Sequence, residues 1–297
     1  MKRIDVLCIG YACWDLNFQI EESPGPDEKI RASSLISEGG GPAANAAYCI
    51  NRLGGKAAFA GRLGNDALGE AHFLELTKVG VDTSCILRED TATSISSIQV
   101  NKKGQRTLVN YREPPSTNKL EFGSFQPACL LMDGFEWEAS KEALKKFPHI
   151  PSILDAGSLN DFTRSLANQV SHLVASSSFA RDITNSDRAE DWTNQLASMA
   201  PNIAITCGER GVYWKSKTGE QGHLAARKVK ALDTNGAGDI FHAAFALALT
   251  RGLKFLNCLE WANEVAAASV VREGARSSCP SYADVTPLKS NQSNASS

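Results

Sequence analysis

Short apolar runs separated by longer helix-like segments are the feature that most constrains the fold of this chain of 297 residues. Each run is only a few residues long, and most of them end in glycine or a small polar residue. Such runs are typical of buried strands in a parallel sheet. They are Ile4–Ile9, Ala57–Ala60, Cys129–Met132, Ile153–Leu154, Leu173–Ala175 and Ile203–Thr206.

The segments between these runs have helical character. Pro42–Leu53 is rich in alanine, with proline at its start and two glycines past its end, an arrangement that helices prefer. Ala67–Val79, Ser140–Lys146 and Asp191–Met199 have a similar pattern. Alternating strand and helix signals predict an α/β fold, with a doubly wound, mostly parallel sheet and helices on both of its faces.

Two stretches, residues 15–37 and 93–112, interrupt this alternation. The first contains Pro24, Gly25 and Pro26 between alternating segments. The second reads as a hairpin of strands Ser94–Asn101 and Gln105–Tyr111, joined by a turn at Lys102–Gly104. Together they predict a small β-sheet outside the main one, which would act as a discontinuous lid that closes over a substrate and excludes water.

The remaining residues would form the core, in three pieces: 1–14, 38–92 and 113–288. Residues 289–297 are polar and rich in serine and asparagine, and we expect them to be a disordered tail.

Composition excludes several classes of function. Lysine and arginine number 31 against 33 aspartates and glutamates, a formal net charge of −2, so a basic nucleic-acid surface is not expected. No apolar stretch approaches the roughly 20 residues that span a bilayer, and the first residues do not form a signal peptide. The eight cysteines include no C-x-x-C pair, so zinc and thioredoxin-like chemistry are not expected. We expect a cytoplasmic protein with reduced cysteines and small-molecule partners.

The sequence DTNGAGD at Asp233–Asp239, followed by the helical run Ile240–Leu249, is the most informative motif. Its small residues 236–238 allow a ligand to approach the backbone at a helix N-terminus, where free N–H groups and the helix dipole attract anions. Asp239 would then lie in the first turn, placed to accept a proton from an attacking hydroxyl. A glycine-rich turn with an acid at a helix start explains this segment equally well by itself.

The second motif is GGGPAAN, Gly39–Asn45, which leads into the helix that ends at Leu53. Its glycines permit close backbone approach, and Asn45 could present its amide to a hydroxyl-rich ligand. Taken alone, the segment is better explained as a flexible loop with asparagine near a helix start.

Together the two segments resemble the two signatures of the ribokinase-like carbohydrate kinases, the PfkB family. Gly39–Gly69 matches the first signature and Asp233–Phe245 the second, in the family's order and at about its spacing. The resemblance covers nearly the whole chain except the tail. It implies a doubly wound core with a β lid, and direct phosphoryl transfer from ATP to a sugar hydroxyl.

The resemblance also implies roles for individual residues. Asp239 matches the catalytic base. The anion hole for the transferring phosphoryl group matches Gly236, Ala237 and Gly238. The nucleotide-binding turn, TCGERG, matches Thr206, Gly208 and Gly211. The positions that hold the sugar hydroxyls match Asp15, Gly40, Gly41 and Asn45.

Metal binding is implied by the resemblance as well. A monovalent cation, potassium, would be held mostly by backbone oxygens of Asp233, Asn235, Ser269, Arg272, Gly274 and Ser278. The family often carries N-x-x-E to organise magnesium through water, but here the aligned stretch is Ser176–Phe179. Ketohexokinase-like and sulfofructose-kinase-like members also lack that pair, so Mg²⁺ is still expected, although its organisation is open.

The sugar is the least constrained part of the prediction. Lys29 and Asn110 lie on the proposed lid and match two residues that sulfofructose kinases place around a sulfonate. The third position, an arginine there, holds Phe135, and its loss removes a bidentate anion contact. A neutral ketohexose such as fructose is therefore favoured. Plain solvated lid surface explains Lys29 and Asn110 about as well.

Three alternatives stay open. The chain could be a ribokinase or a nucleoside kinase of the same fold. It could also be a catalytically weak sugar-binding regulatory protein, which the altered Ser176–Phe179 stretch favours and the intact Asp239 opposes. Independently of these alternatives, an exposed strand edge in the lid would favour a homodimer through the lids.

Overall fold

The computed structural model describes residues 2–102, 105–114, 116–286 and 288, so the predicted tail and part of the predicted hairpin turn lie outside the described residues. In chain order the strands are β1 Lys2–Ile9, β2 Cys13–Ile20, β3 Ser34–Gly40, β4 Ala57–Gly64, β5 Asp82–Glu89, β6 Ile95–Asn101, β7 Arg106–Tyr111, β8 Phe125–Met132, β9 Ser152–Ala156, β10 His172–Ser176, β11 Asn202–Thr206, β12 Val212–Lys215 and β13 Gln221–Leu224. The helices are α1 Pro42–Arg52, α2 Ala67–Lys78, α3 Trp137–Lys146, α4 Asp161–Ala167, α5 Ser177–Thr184, α6 Ala189–Leu196, α7 Ala237–Thr250 and α8 Phe255–Ser269.

The main sheet has the order β13-β12-β11-β10-β9-β8-β1-β4-β5, and its strand pairings are parallel except for β11–β12 and β12–β13. Successive residues of β1 enter two separate cores: Val6 packs in one, and Leu7 in the other. Helices therefore cover both faces of the sheet, which confirms the predicted doubly wound α/β fold. None of the helices in the described ranges is long and apolar enough to cross a membrane.

The six predicted core strands are all present, and the main-sheet strands that the apolar-run pattern misses, β5, β12 and β13, lie at or next to the sheet edges. β5 ends one edge and β13 the other, and most of their side chains are only half-buried or exposed. Edge strands need fewer apolar residues because solvent reaches one side of them. The predicted helices are also present, although α6 begins and ends earlier than the sequence pattern suggested.

A second, four-stranded sheet has the order β3-β2-β6-β7 and contains the predicted hairpin. Its register places Glu38 opposite Asp15, Asp15 opposite Ser96, and Ser96 opposite Asn110. Directly opposed residues project from the same face of a sheet. These four residues, here called the polar row, therefore cross the whole small sheet on one face.

Glu38 links the small sheet to the loop that follows α8 by hydrogen bonds. One carboxylate oxygen of this buried side chain accepts hydrogen bonds from the backbone N–H groups of Ala275 (2.6 Å) and Arg276 (3.1 Å). The other oxygen accepts one from the N–H of Ser277 at 3.0 Å. Three backbone donors thus satisfy one buried carboxylate, and residues from opposite ends of the chain are joined.

Replacing Glu38 by alanine should therefore destabilise the protein strongly. Two buried N–H groups and the partly buried one of Ser277 would lose their acceptor, and we expect the free energy of unfolding to fall by about 3 kcal/mol. Urea denaturation followed by circular dichroism measures this. The control is Glu22→Ala, on the exposed loop after β2, for which we expect a change within about 0.5 kcal/mol. Equal effects of the two variants would show that the Glu38 contacts do not hold the sheets together.

Candidate active site

Asp239 lies in the first turn of α7, as the motif predicted. The residue that precedes the helix, Gly236, has a φ of 71°, and a Cβ there would be crowded by Ala275. Both facts require glycine. Within the described part of the chain, the N–H groups of Gly236, Gly238 and Asp239 have no hydrogen-bond acceptor. Such free donors at a helix N-terminus are suited to binding an anion.

Asp239 is half-buried, and its carboxyl group has a strongly altered acidity. Burial raises its pKa to about 7, and the neighbouring Asp155 carboxylate acts in the same direction. A hydrogen bond from Asn45 and the nearby His242 oppose the shift. A carboxyl group whose pKa is close to neutral is well matched to act as a general base.

Asn45 makes a contact with Asp239 that the sequence interpretation did not include. Its amide was expected to face a ligand, but Nδ2 donates to Oδ2 of Asp239 at 2.8 Å. Oδ1 of Asp239 has no hydrogen-bond partner among the described residues, so one oxygen is held while the other can accept a proton.

His242 and Asp155 form a second contact beside the base, which the sequence did not indicate. Nδ1 of His242 lies 2.6 Å from the carbonyl oxygen of Gly238 and 3.3 Å from Oδ2 of Asp155. Its Nε2 lies 3.1 Å from the carbonyl oxygen of Val174. Both ring nitrogens of His242 thus lie close to oxygen atoms.

A further buried acid, Asp133, organises the carboxyl edge of the sheet next to this site. Its carboxylate accepts hydrogen bonds from the N–H groups of Tyr11 (2.8 Å), Ala43 (3.1 Å) and Phe135 (3.0 Å). Burial raises its pKa to about 7. A Cβ at Gly10 would overlap this carboxylate, so glycine is required there. One side chain thereby fixes the ends of β1 and β8 and the start of α1.

The predicted sugar residues fall into two groups. Asp15 and Asn110 share the polar row, and Gly40 must be glycine because a Cβ would overlap the Asp15 carboxylate. Burial raises the pKa of Asp15. Gly41, with a φ of 95°, lies against the backbone of Tyr11. Lys29, by contrast, is exposed in the loop between β2 and β3, and no contact among the described residues joins it to the row.

A cavity of about 310 Å³ lies at the carboxyl edge of the main sheet. Asp133 and Asp155 line it together with Phe135 and Arg112. The Arg112 guanidinium lies 5.0 Å from the centre of the Phe135 ring and 5.7 Å from that of Tyr11. The rings of Tyr11 and Phe135 are stacked with their centres 4.7 Å apart, so aromatic side chains form one side of the cavity.

The predicted nucleotide-binding turn follows β11 directly. Thr206 ends the strand, and its hydroxyl donates to the carbonyl of Ala175 at 3.3 Å. Gly208 has a φ of 58° and open space around it, which leaves room for a ligand. Gly211 also has a positive φ, but a Cβ there would overlap the carbonyl of Leu224. Packing of the neighbouring strand therefore explains glycine at 211 without a ligand.

The residues predicted to hold potassium come from two loops that the structure brings together. The Asp233 carboxylate accepts from the N–H groups of Asn235 and Gly274, both at 2.8 Å. Ser269 and Ser278 are buried, whereas the Arg272 side chain is exposed and lies 3.6 Å from Asp284. Across the described ranges, no cluster of three or more histidine, cysteine or acidic side chains could hold a metal ion.

The stretch that replaces N-x-x-E begins α5. The hydroxyl of Ser176 accepts a hydrogen bond from the N–H of Phe179 at 3.0 Å, and Phe179 is fully buried in the core. Neither side chain can supply the carboxylate that the family pattern offers to magnesium.

The description "pfkB family carbohydrate kinase" belongs to the family model that matches residues 3–281. The chain belongs to this family. A ribokinase of Schizosaccharomyces pombe is 26% identical over 95% of this kinase and 96% of its own length. A fructokinase of Vibrio alginolyticus is 25% identical over 85% and 92%. The crystal structure of a Thermotoga maritima ribokinase has the same fold, with a TM-score of 0.81, 24% identity, and coverage of 95% and 97%. The kinase uses ATP and acts on a sugar.

The raised pKa of Asp239 makes stability depend on pH in a defined direction. The folded protein holds this proton up to about pH 7, whereas an unfolded aspartate loses it near pH 4. The stabilisation is therefore complete below about pH 4 and is lost as the pH rises through about 7. Asp239→Asn cannot ionise, so its melting temperature should rise relative to the native protein between pH 4 and pH 7.

Differential scanning calorimetry across this range measures the effect. Asp161→Asn is the matched control, because Asp161 is exposed in the first turn of α4. A constant difference between Asp239→Asn and the native protein would contradict the assigned acidity.

Proposed function

We propose that the kinase transfers the γ-phosphoryl group of ATP to a primary hydroxyl of a small neutral sugar, with a ketohexose such as fructose favoured. The observation that carries the proposal is the arrangement at the start of α7. There, a carboxylate with one held and one unpartnered oxygen stands next to three free backbone N–H groups.

In this mechanism Oδ1 of Asp239 accepts the proton of the attacking hydroxyl. The hydroxyl oxygen forms a bond to the γ-phosphorus as the bond to the β-phosphate oxygen breaks, and ADP leaves. The N–H groups of Gly236 and Gly238 donate to the equatorial oxygens of the transferring group, where charge is concentrated. Because the donors are fixed by the helix, little reorganisation is needed during transfer.

Cofactor binding follows from the same region. Thr206 and Gly208 would contact ATP at the turn after β11, while Gly211 shapes that turn. Mg²⁺ would neutralise charge on the phosphates, held through water since Phe179 supplies no oxygen. K⁺ would be held between the two predicted loops, which the Asp233 carboxylate joins by accepting from the N–H groups of residues 235 and 274.

The preference for a neutral sugar rests on the side chains near the cavity. Phe135, half-exposed beside Arg112, offers an apolar ring where a sulfonate-binding arginine would stand. The polar row offers Asp15, Ser96 and Asn110, which are suited to hydroxyl groups. The similarity to a ribokinase and a fructokinase supports a sugar of this size. Ribose is therefore the second candidate.

We also propose a homodimer through the small sheets. β7 is an edge strand in which every residue is exposed, including Leu108, Val109 and Tyr111. An unpaired edge with apolar side chains can pair with another copy of itself.

Coupled measurement of ADP release tests the proposed function. The acceptors are the sugars fructose, ribose, tagatose and sulfofructose and the nucleosides inosine and adenosine, with Mg²⁺ present and either K⁺ or Na⁺ as the monovalent cation. We expect turnover with fructose or ribose, and a fall in kcat of about 10²–10⁴-fold for Asp239→Asn. Asp161→Asn should retain native activity. Turnover that survives in Asp239→Asn would remove the proposed base, and turnover confined to sulfofructose or a nucleoside would overturn the sugar class.

The two predicted lid contacts can be separated by their effect on KM. Asn110 belongs to the polar row, so Asn110→Ala should raise the KM for the sugar about tenfold, the loss of one hydrogen bond. Lys29 is outside the row, and Lys29→Ala should change that KM by less than about twofold. Steady-state kinetics at saturating ATP gives both values. A larger effect at Lys29 would mean that its loop, rather than the row, recognises the sugar.

A further inference from the structure

A buried arginine stands directly behind the proposed base. Only 3% of the Arg276 side chain is exposed. It belongs to the loop that Glu38 holds, and neither of the two sequence motifs includes it. A buried guanidinium is costly unless its donors are satisfied, so its partners indicate what it does.

Arg276 donates to three different side chains. Its Nη1 donates to the Glu75 carboxylate at 2.8 Å, and its Nη2 lies 2.5 Å from Nε2 of His72. Nδ1 of His72 lies 3.0 Å from the carbonyl of Cys13. That carbonyl can only accept, so His72 carries its proton on Nδ1 and Nε2 is the acceptor. Burial, and then the charge of Arg276, hold the pKa of His72 well below its usual value, so the ring is neutral.

The third partner is the amide of Asn45. Nε of Arg276 donates to Oδ1 of Asn45 at 3.0 Å. A guanidinium has donors and no acceptor, so this contact fixes which end of the amide faces it. The NH₂ group must then face the other way, and it donates to Oδ2 of Asp239. If the amide were reversed, its oxygen would oppose the Asp239 carboxylate.

We propose that Arg276 is a positioning residue for phosphoryl transfer, which holds the Asn45 amide so that Asn45 donates its hydrogen bond to Asp239. The donated bond favours the ionised carboxylate and leaves Oδ1 for the sugar hydroxyl. The inference rests on the proposed role of Asp239 as the base. Besides Asn45, the groups that act on Asp239 are Asp155 from β9, His242 from α7 and Asp15 from β2. Cys49 of α1 lies near it as well.

A double-mutant cycle between Arg276 and Asn45 tests the proposal. Asn45→Ala and Arg276→Met should each lower kcat by roughly 10–100-fold, within the range of general-base effects. Each should also move the acidic limb of the kcat pH profile to higher pH, because the carboxylate loses a donor. The double variant should be no slower than the slower single variant, since both changes remove one interaction.

Arg251→Met is the matched control, because this arginine follows the far end of α7 and pairs with Asp5. It should leave the acidic limb in place. If Arg276→Met does not fold, Arg276→Lys carries the same cycle, because an ammonium keeps the charge and can donate to only some of the three partners. Arg276→Lys should have a lower kcat than the native enzyme. Combining it with Asn45→Ala should not lower kcat further.

Two results would overturn the proposal: losses that multiply in the double variant, or an acidic limb that does not move in the Arg276 variants. Either would leave Arg276 as a structural residue only. Failure of the proposed base is a separate outcome, because it appears as activity retained in Asp239→Asn.

Discussion

The hydrogen bonds from residues 275–277 to the Glu38 carboxylate are the contact on which the rest of the site depends. Glu38 belongs to the small sheet, whereas the loop that it holds contributes Arg276 and lies against Gly236 at the start of α7. Residues that are more than two hundred positions apart are therefore fixed relative to one another. Movement of the small sheet would therefore shift the loop that lies against the start of α7.

Several acidic side chains lie close together around the site, and different kinds of group contact their carboxylate oxygens. Backbone N–H groups satisfy Asp133 and Glu38, an amide satisfies Asp239, and a histidine contacts Asp155. These fixed hydrogen-bond donors replace the water that a buried carboxylate loses, but they do not neutralise its charge. Burial nevertheless raises the pKa values of Asp133, Asp155 and Asp239.

Much of the fold could be predicted from the sequence, since buried parallel strands are continuous apolar runs and α1 has proline and glycine at its ends. Edge strands such as β5 lack that signal. The pattern also misses α8, which begins without a capping side chain and has no acid in its first turn. In the site, the two motifs located Asp239, Asn45 and the glycines. Glu38 and Arg276 act through contacts across the whole chain, which no local pattern reveals.

In the proposed function the polar row contacts the sugar, and its position in the small sheet limits how substrate preference can change. Side chains alternate between faces along a strand, so a one-residue slip of β6 against β2 would turn Ser96 away and present Ile95 or Ser97 instead. Insertions and deletions are thus excluded from these strands. The loop between β2 and β3, which carries Lys29, is free of that constraint and can vary in length. New specificities in such a kinase would arise by single substitutions in the row, or by remodelling of this loop.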